Sequence, residues 1–239
     1  MDMPRVAIIA AMEREIRPLV RQWRVVEREH DGRKFRFFES DEVAVVCGGI
    51  GSEAARRAAE AAIAIYGPDK IYSAGFAGAL DPGLKAGDVL WPERVVNAKD
   101  GSSVPLGGGK GTLVSFGSVA SPEQKKKLRE SYGAQLVDME AAAVAQAAEA
   151  RGAGFGVVKA VSDEADFEFP STEQFVDGEG KFREFRFAVF AAVRPWLWGR
   201  VMRLAGNSRR AARALCDELR KICDRAREAE FASQAAAKP

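Results

Sequence analysis

The feature that most constrains this chain is the regular alternation of short apolar runs with alanine-rich helical segments. Val6–Ala10, Val43–Cys47, Lys70–Ser73, Leu113–Phe116 and Phe155–Val161 are strand-length runs rich in β-branched residues. Between them, Glu13–Trp23, Ser52–Tyr66, Ser121–Ser131 and Ala141–Arg151 carry helical spacing. Ser52–Tyr66 is the clearest helix: Gly49-Ile50-Gly51 opens it and Gly67-Pro68 closes it. Ser121-Pro122-Glu123 reads as another helix start. Phe35–Glu39 faces Val43–Cys47 across a Ser40-Asp41 turn, and Gln135–Val137 is a further short extended piece. Val89–Trp91 and Val95–Val96 flank Pro92, and Val104–Thr112 is a glycine-rich loop. The run Lys70–Ser73 is expected to end in a loop, Ala74 to Gly78, and Ser162–Asp166 is expected as a loop after the last strand. Strands and helices alternating in this way predict an α/β fold, a three-layer sandwich around a mixed, mostly parallel sheet.

With 239 residues, one such domain and an appendage account for the length. A hydrophobic fraction of 47% excludes wholesale disorder. The three cysteines, Cys47, Cys216 and Cys223, are too few for a disulfide framework and lack zinc spacing. A single histidine, His30, excludes mechanisms built on a histidine pair or triad. No metal site and no organic cofactor are expected. The apolar stretch Val6–Ala11 is too short for a signal segment. Phe187–Gly206 is interrupted by Arg194, Pro195, Arg200 and Arg203, so no spanning helix is expected and the expected location is the cytoplasm. The net charge of +2 hides an asymmetry: residues 181–227 hold thirteen Lys or Arg against four acids, +9, which leaves −7 for the rest.

Chemistry is expected where polar groups follow the apolar strands, because ligands of parallel α/β sheets bind at the strands' carboxyl ends. Five segments qualify: Ala11-Met12-Glu13-Arg14-Glu15, Gly48-Gly49-Ile50-Gly51, Gly75-Phe76-Ala77-Gly78, Val137-Asp138-Met139-Glu140-Ala141, and Val161-Ser162-Asp163. Each has a plain structural alternative. Glu13 and Glu15 suit the first turn of any helix, and so do Asp138 and Glu140. Gly49 and Gly51 suit a tight turn, or the approach of an anion or a ribose to bare backbone at a helix start. Asp163 suits a helix cap, and Met139 suits a core.

Taken together and in order, these segments resemble the purine nucleoside phosphorylase and nucleosidase superfamily. The resemblance is nearest to the methylthioadenosine/S-adenosylhomocysteine nucleosidases. It is carried by VAIIAAMEREI, GGIG, SAGFAGALDPGLKAGDV, VDMEAAAVA and VKAVSDEAD, spread over residues 6 to 166. It implies the nucleoside phosphorylase fold, a homo-oligomer of at least two chains, and cleavage of a purine–ribose bond. Such cleavage leaves a purine anion and an oxocarbenium-like sugar, so an acid that protonates the base at N7 neutralises the leaving group. Asp163 matches that acid, which requires a carboxyl held protonated near neutral pH. Glu140 matches the acid that bonds the ribose hydroxyls and favours the cationic sugar, and Met139 the residue packed on the ribose. Glu15 matches the carboxylate that positions and deprotonates the attacking water, with Glu13 as its neighbour. Ile50, Gly75, Phe76, Ala77 and Ser162 fall on the matching binding loops, and Val119 and Ala120 on the backbone that meets adenine.

The chain departs from that pattern in places. Phe76 stands where the nucleosidases have Ser, and Ser73 where phosphorolytic relatives carry a phosphate-holding Arg. These favour water as the nucleophile, with Arg14 and Arg56 left as candidate phosphate ligands. Ser115-Phe116-Gly117-Ser118-Val119-Ala120 lacks the aromatic that stacks on adenine in the family. The loop after Val96, which reaches the partner subunit in the nucleosidases, is shortened. Gly75-Phe76-Ala77-Gly78 is also similar to the loop of futalosine hydrolases, although Asp163 suits adenine better.

Residues 1–180 are expected to form the catalytic domain and 181–239 a basic, tryptophan-containing helical extension. The stretch VRPWLWGRVMRLAGNSRRAARALCDELRKICDRAR resembles the C-terminal tail of the hopanoid-associated phosphorylases. That resemblance implies an alternative substrate, a lipid-linked adenosine. Trp196, Trp198, Val201, Met202 and Leu204 among Arg194, Arg200 and Arg203 suit an amphipathic helix at a membrane surface through 194–227. They equally suit packing on the protein itself, with arginine stems laid along apolar surface. No nucleic-acid partner is expected, because groove-reading motifs are missing. A non-catalytic nucleoside sensor is the remaining alternative; three acids at these loop ends argue against it.

Overall fold

The structure, a computed structural model, describes residues 5–168 and 198–236. Eleven strands form one mixed sheet. They are β1 (Val6–Ala10), β2 (Arg24–His30), β3 (Arg33–Glu39), β4 (Val43–Cys47), β5 (Lys70–Ala79), β6 (Val89–Leu90), β7 (Arg94–Asn97), β8 (Ser103–Pro105), β9 (Thr112–Ser115), β10 (Leu136–Asp138) and β11 (Gly154–Asp163). The helices are α1 (Glu13–Val20), α2 (Ser52–Tyr66), α3 (Pro122–Tyr132), α4 (Ala141–Glu149) and α5 (Trp198–Ala236). At the centre β4, β1, β5 and β11 run parallel. Antiparallel strands are added around them: β2 and β3 at one end, β8 at the other, β6 on β11.

The helices lie on both faces, which makes the three layers. On one face α2 and α4 press small side chains (Ala55, Ala58, Ala62, Val144, Ala148) onto Ala7, Ile9, Val46 and Ile71. On the other, α1 and α5 bury Ile16, Val20, Ala211, Leu215, Leu219 and Ile222 against Ile8, Val45, Tyr72 and Val158. Burying a leucine of that kind is worth about 1.5–3 kcal/mol. The middle of α5 is therefore part of the core. Polar ties add to it: Arg220 donates to the Pro18 carbonyl and Trp91 Nε1 to Glu218. Its N-terminal turns differ, with Trp198 54% and Met202 72% exposed. Residues 194–197 of the tryptophan stretch, including Trp196, lie outside the described residues, as does the basic run before them.

One strand does what its sequence does not announce. Expected to stop at Ser73, β5 continues through Gly75-Phe76-Ala77-Gly78 to Ala79, because β11 pairs with it along its whole length, from Lys70 to Gly78. Ser162 and Asp163, expected in a loop, are for the same reason the last residues of β11. The other edge of β5 is shared. β1 pairs with it over Lys70–Ser73 and β10 over Gly78–Ala79. Between these two partners, at Ala74 to Ala77, the sheet forks. The crevice sought at the strand ends opens there.

The helix expected over Glu13–Trp23 stops at Val20 in a turn. β2 was not foreseen: it is an edge strand of mostly charged residues in which Val25 is 46% exposed. Around Ser121 the expectation holds, with its hydroxyl accepting from Gln124 N and the Gln124 side chain accepting from Ser121 N.

Candidate active site

The fork holds a pocket of about 130 Å³ lined by Ala11, Met12, Glu15, Ile50, Phe76, Ala77, Ser118, Val119, Ala120, Lys125, Asp138, Met139, Glu140, Ser162 and Asp163, among others. It collects residues from six separate segments of the chain, counting 118–125 as one. Each is aimed by a local reason.

Glu15 lies in the first turn of α1, but its carboxylate turns back. Oε2 accepts from the backbone N–H groups of Ala11 and Met12, each at 3.2 Å. It is 2% exposed and sits over Gly75, where a Cβ would come within 3.0 Å of Oε2. Burial pushes its pKa up, against the pull of those amides and of Lys159. Glu13, two residues earlier, lies outside the pocket: it faces solvent and pairs with Arg36 at 3.2 Å. Two positions along a helix are a rotation of about 200°, which points the two acids to different sides.

Asp138 and Glu140 divide the work at the start of α4. Asp138 is structural: its Oδ2 accepts from Ala141 N at 2.9 Å and from Lys159 Nζ at 2.8 Å, while Oδ1 accepts from Ser115 Oγ at 2.6 Å. Glu140 leaves the helix end alone. Its Oε1 accepts from Gly51 N at 2.8 Å and its Oε2 from Met139 N at 3.1 Å. Gly51 has φ +97°, which other residues adopt only with strain, and its N–H at the head of α2 is spent on Glu140. The anion at that helix start is thus the protein's own carboxylate. Burial first, and the charge of Asp138 next, push the Glu140 pKa up to about 7; Lys159 opposes them. Burial works against the charge on Lys159 itself, but Asp138, Glu140 and Glu15 outweigh it and its pKa is raised.

Asp163 ends β11, 3% exposed. Oδ1 accepts from Ser162 Oγ at 2.6 Å. Oδ2 accepts from Lys125 Nζ at 2.5 Å, and that ammonium also donates to the Glu164 carbonyl at 2.7 Å. The sequence reading of Asp163 did not include a partner for it: a fully buried lysine of α3 is its ion-pair partner. The signal for Lys125 was masked, since it is the first of three consecutive lysines and only it is buried. Lys159 was equally unforeseen, a lysine inside an apolar strand.

Phe76 separates this pocket from a larger groove of about 780 Å³ between α1 and α5. Apolar groups of Pro18, Phe76, Val201, Leu204 and Ala212 line it, with Arg17, Arg21, Arg209 and Arg213 among its charged lining. Arg56, a candidate phosphate ligand, is tied to Glu53 and Glu60 on the surface of α2. Among the described residues no group of three or more His, Cys, Asp or Glu could hold a metal ion, and no helix is long and apolar enough to cross a membrane.

Comparison with known proteins places this architecture. The phosphorylase superfamily model matches residues 5–117 and 110–193. The chain belongs to the phosphorylase superfamily. A 5′-methylthioadenosine/S-adenosylhomocysteine nucleosidase of Staphylococcus aureus is 29% identical over an alignment of 201 residues, covering 68% of this chain and 88% of the relative. The crystal structure of a nucleosidase of that name from Helicobacter pylori superposes with a TM-score of 0.70 at 19% identity, covering 94% of this chain and all of the other. The futalosine hydrolase of the same organism gives 0.70 at 20% identity over 93% and 98% of the two chains. At those identities the two structures establish the fold, a nucleosidase-type α/β sandwich.

Proposed function

We propose that this protein is an N-ribosyl hydrolase that releases adenine from a 5′-substituted adenosine. One observation carries the reading: Glu15, Glu140 and Asp163, distant in sequence, converge in a single pocket at the fork of the sheet, Glu15 and Asp163 buried and Glu140 partly so. A scaffold or a sensor has no need of three converging carboxylates there, each costly to remove from water. The relatives' names point to the same chemistry.

In this reading Glu140 accepts the ribose hydroxyls and steadies the cationic sugar, Met139 packs on it, and Asp163 delivers a proton to N7. Glu15, held by two backbone amides, orients water on the opposite side and takes its proton. Ile50, Phe76, Ala77, Val119, Ala120 and Ser162 shape the walls, with Gly75 beneath Glu15. Water is favoured over phosphate because Lys125 is the one cation among the pocket's described lining residues, and it is already paired. The protein acts in the cytoplasm as an oligomer of at least two chains, its catalytic domain spanning 1–180.

A second reading, cleavage of a lipid-linked adenosine as in the hopanoid-associated phosphorylases, is favoured by the groove beyond Phe76. It runs from Phe76 past Val201 and Leu204 among arginines, on the helix whose first turns expose Trp198 and Met202, and there the 181–239 extension would meet a membrane surface.

Free adenine, measured by chromatography, tests both. Methylthioadenosine, S-adenosylhomocysteine and a lipid-linked adenosine in detergent are each incubated with the protein, with and without phosphate. Adenine from the small thioethers without phosphate is the expected result. Adenine from the lipid substrate alone would establish the second reading. No adenine from any of the three would overturn the enzyme assignment for these substrates.

A further inference from the structure

We propose that Lys125 is the source of the proton that leaves with the base, passing it through Asp163. The inference rests on the nucleosidase reading above. Lys125, Lys126 and Lys127 are consecutive on α3; the last two are exposed, whereas Lys125 is 2% exposed and lines the pocket beside Asp163. Its ammonium carries three protons, of which one is donated to Asp163 Oδ2 and one to the Glu164 carbonyl. Asp163 accepts on both oxygens, from Nζ and from Ser162 Oγ. In this pair the transferable proton therefore sits on nitrogen, one hydrogen bond away from the carboxyl that faces the base.

The step balances. As the C1′–N9 bond breaks, its electron pair moves into the purine. Lys125 Nζ gives its proton to Asp163 Oδ2, and the carboxyl so formed hands that proton on to N7. The base departs neutral, Asp163 ends as a carboxylate and Lys125 as a neutral amine. Water adds to C1′ and gives its proton to Glu15. Lys125 regains a proton from solvent once the base has left.

The test separates leaving groups that need a proton from one that does not. Lys125→Met is compared with the unmodified protein on methylthioadenosine and on 4-nitrophenyl 5-methylthioriboside, whose nitrophenolate leaves unprotonated. The expected result is a loss in kcat on the order of 10²-fold or more for methylthioadenosine, with KM little changed and the nitrophenyl riboside cleaved at nearly the original rate. Equal losses on both substrates would show a structural role and overturn the proposal, as would no loss on either. Should Lys125→Met fail to fold, the unmodified protein decides by its pH profile. The charged groups around Lys125 are Asp163 and Glu164 from β11 and its following loop, Asp138 from β10, and Glu15 and Glu140 across the pocket. An alkaline fall in kcat for methylthioadenosine that the nitrophenyl riboside lacks supports the relay; identical profiles overturn it. If the unmodified protein cleaves neither substrate, it is the nucleosidase reading that fails, a result distinct from a failure of the Lys125 arm.

Discussion

Two buried lysine–aspartate pairs lie within the same molecule and serve different ends. Lys159–Asp138 is locked into the framework: Asp138 simultaneously holds the first amide of α4 and the hydroxyl of Ser115, so the pair ties β11, β9 and α4 together. Lys125–Asp163 stands in the pocket wall, and Asp163 engages no helix end. The same two residue types make a girder in one place and a proton path in the other. What differs is the set of remaining hydrogen bonds. Asp138 is held by a helix amide as well as by side chains, whereas Asp163 is held by side chains alone.

Breaking the framework pair should give the largest effect on stability. Lys159→Met leaves Asp138 charged and buried and should cost about 3–5 kcal/mol, read as a drop in Tm of roughly 10 °C. An unchanged melting curve would erase the distinction between the pairs. Asp163→Asn should lower kcat for adenine release by about 10²–10⁴-fold while the circular dichroism spectrum stays native. Full activity in that variant would remove Asp163 from the leaving-group role.

A smaller, pH-resolved effect belongs to Glu140, which neighbours the framework pair. Its pKa is raised to about 7 by burial and by Asp138, so the folded chain holds this proton where the unfolded chain has lost it. Between about pH 4.5 and 7 folding takes up a proton, and stability falls as pH rises through that window. Glu140→Gln should flatten this part of a Tm-against-pH curve; an unaltered slope would place the titration elsewhere. Lys126→Met is the smallest expectation, within about 0.5 kcal/mol and without effect on kcat, because that neighbour of Lys125 faces solvent.

The apolar runs that became β1, β4, β9 and β11, and the alanine helices α2 and α4, were legible because period and composition agree with burial there. The edge strand β2 was not: RVVEREH has two adjacent valines among charges, and its pairing with β3 supplies what its own pattern lacks. Glycines made β5 look finished at Ser73, yet β11 alongside keeps Gly75 to Gly78 extended. Of the site, the loop acids Glu15, Glu140 and Asp163 were legible from their places after apolar strands, and all three line or border the fork. Glu13 looked equivalent to Glu15, and little more than half a helical turn puts them on different sides.

Local pattern, then, was enough for the sandwich, the order of its layers and the acids at the strand ends, because periodic burial and loop position are properties of neighbouring residues. The fork between β1 and β10, the lysine partners of Asp138 and Asp163, and the burial of the middle of α5 are of another kind. They depend on groups 38 positions apart for the Lys125–Asp163 pair and 201 for the contact of Cys216 with the Glu15 carbonyl. A buried charge is tolerable only beside its partner, and it is the folded chain that chooses which lysine of a run meets an acid and which is left in water.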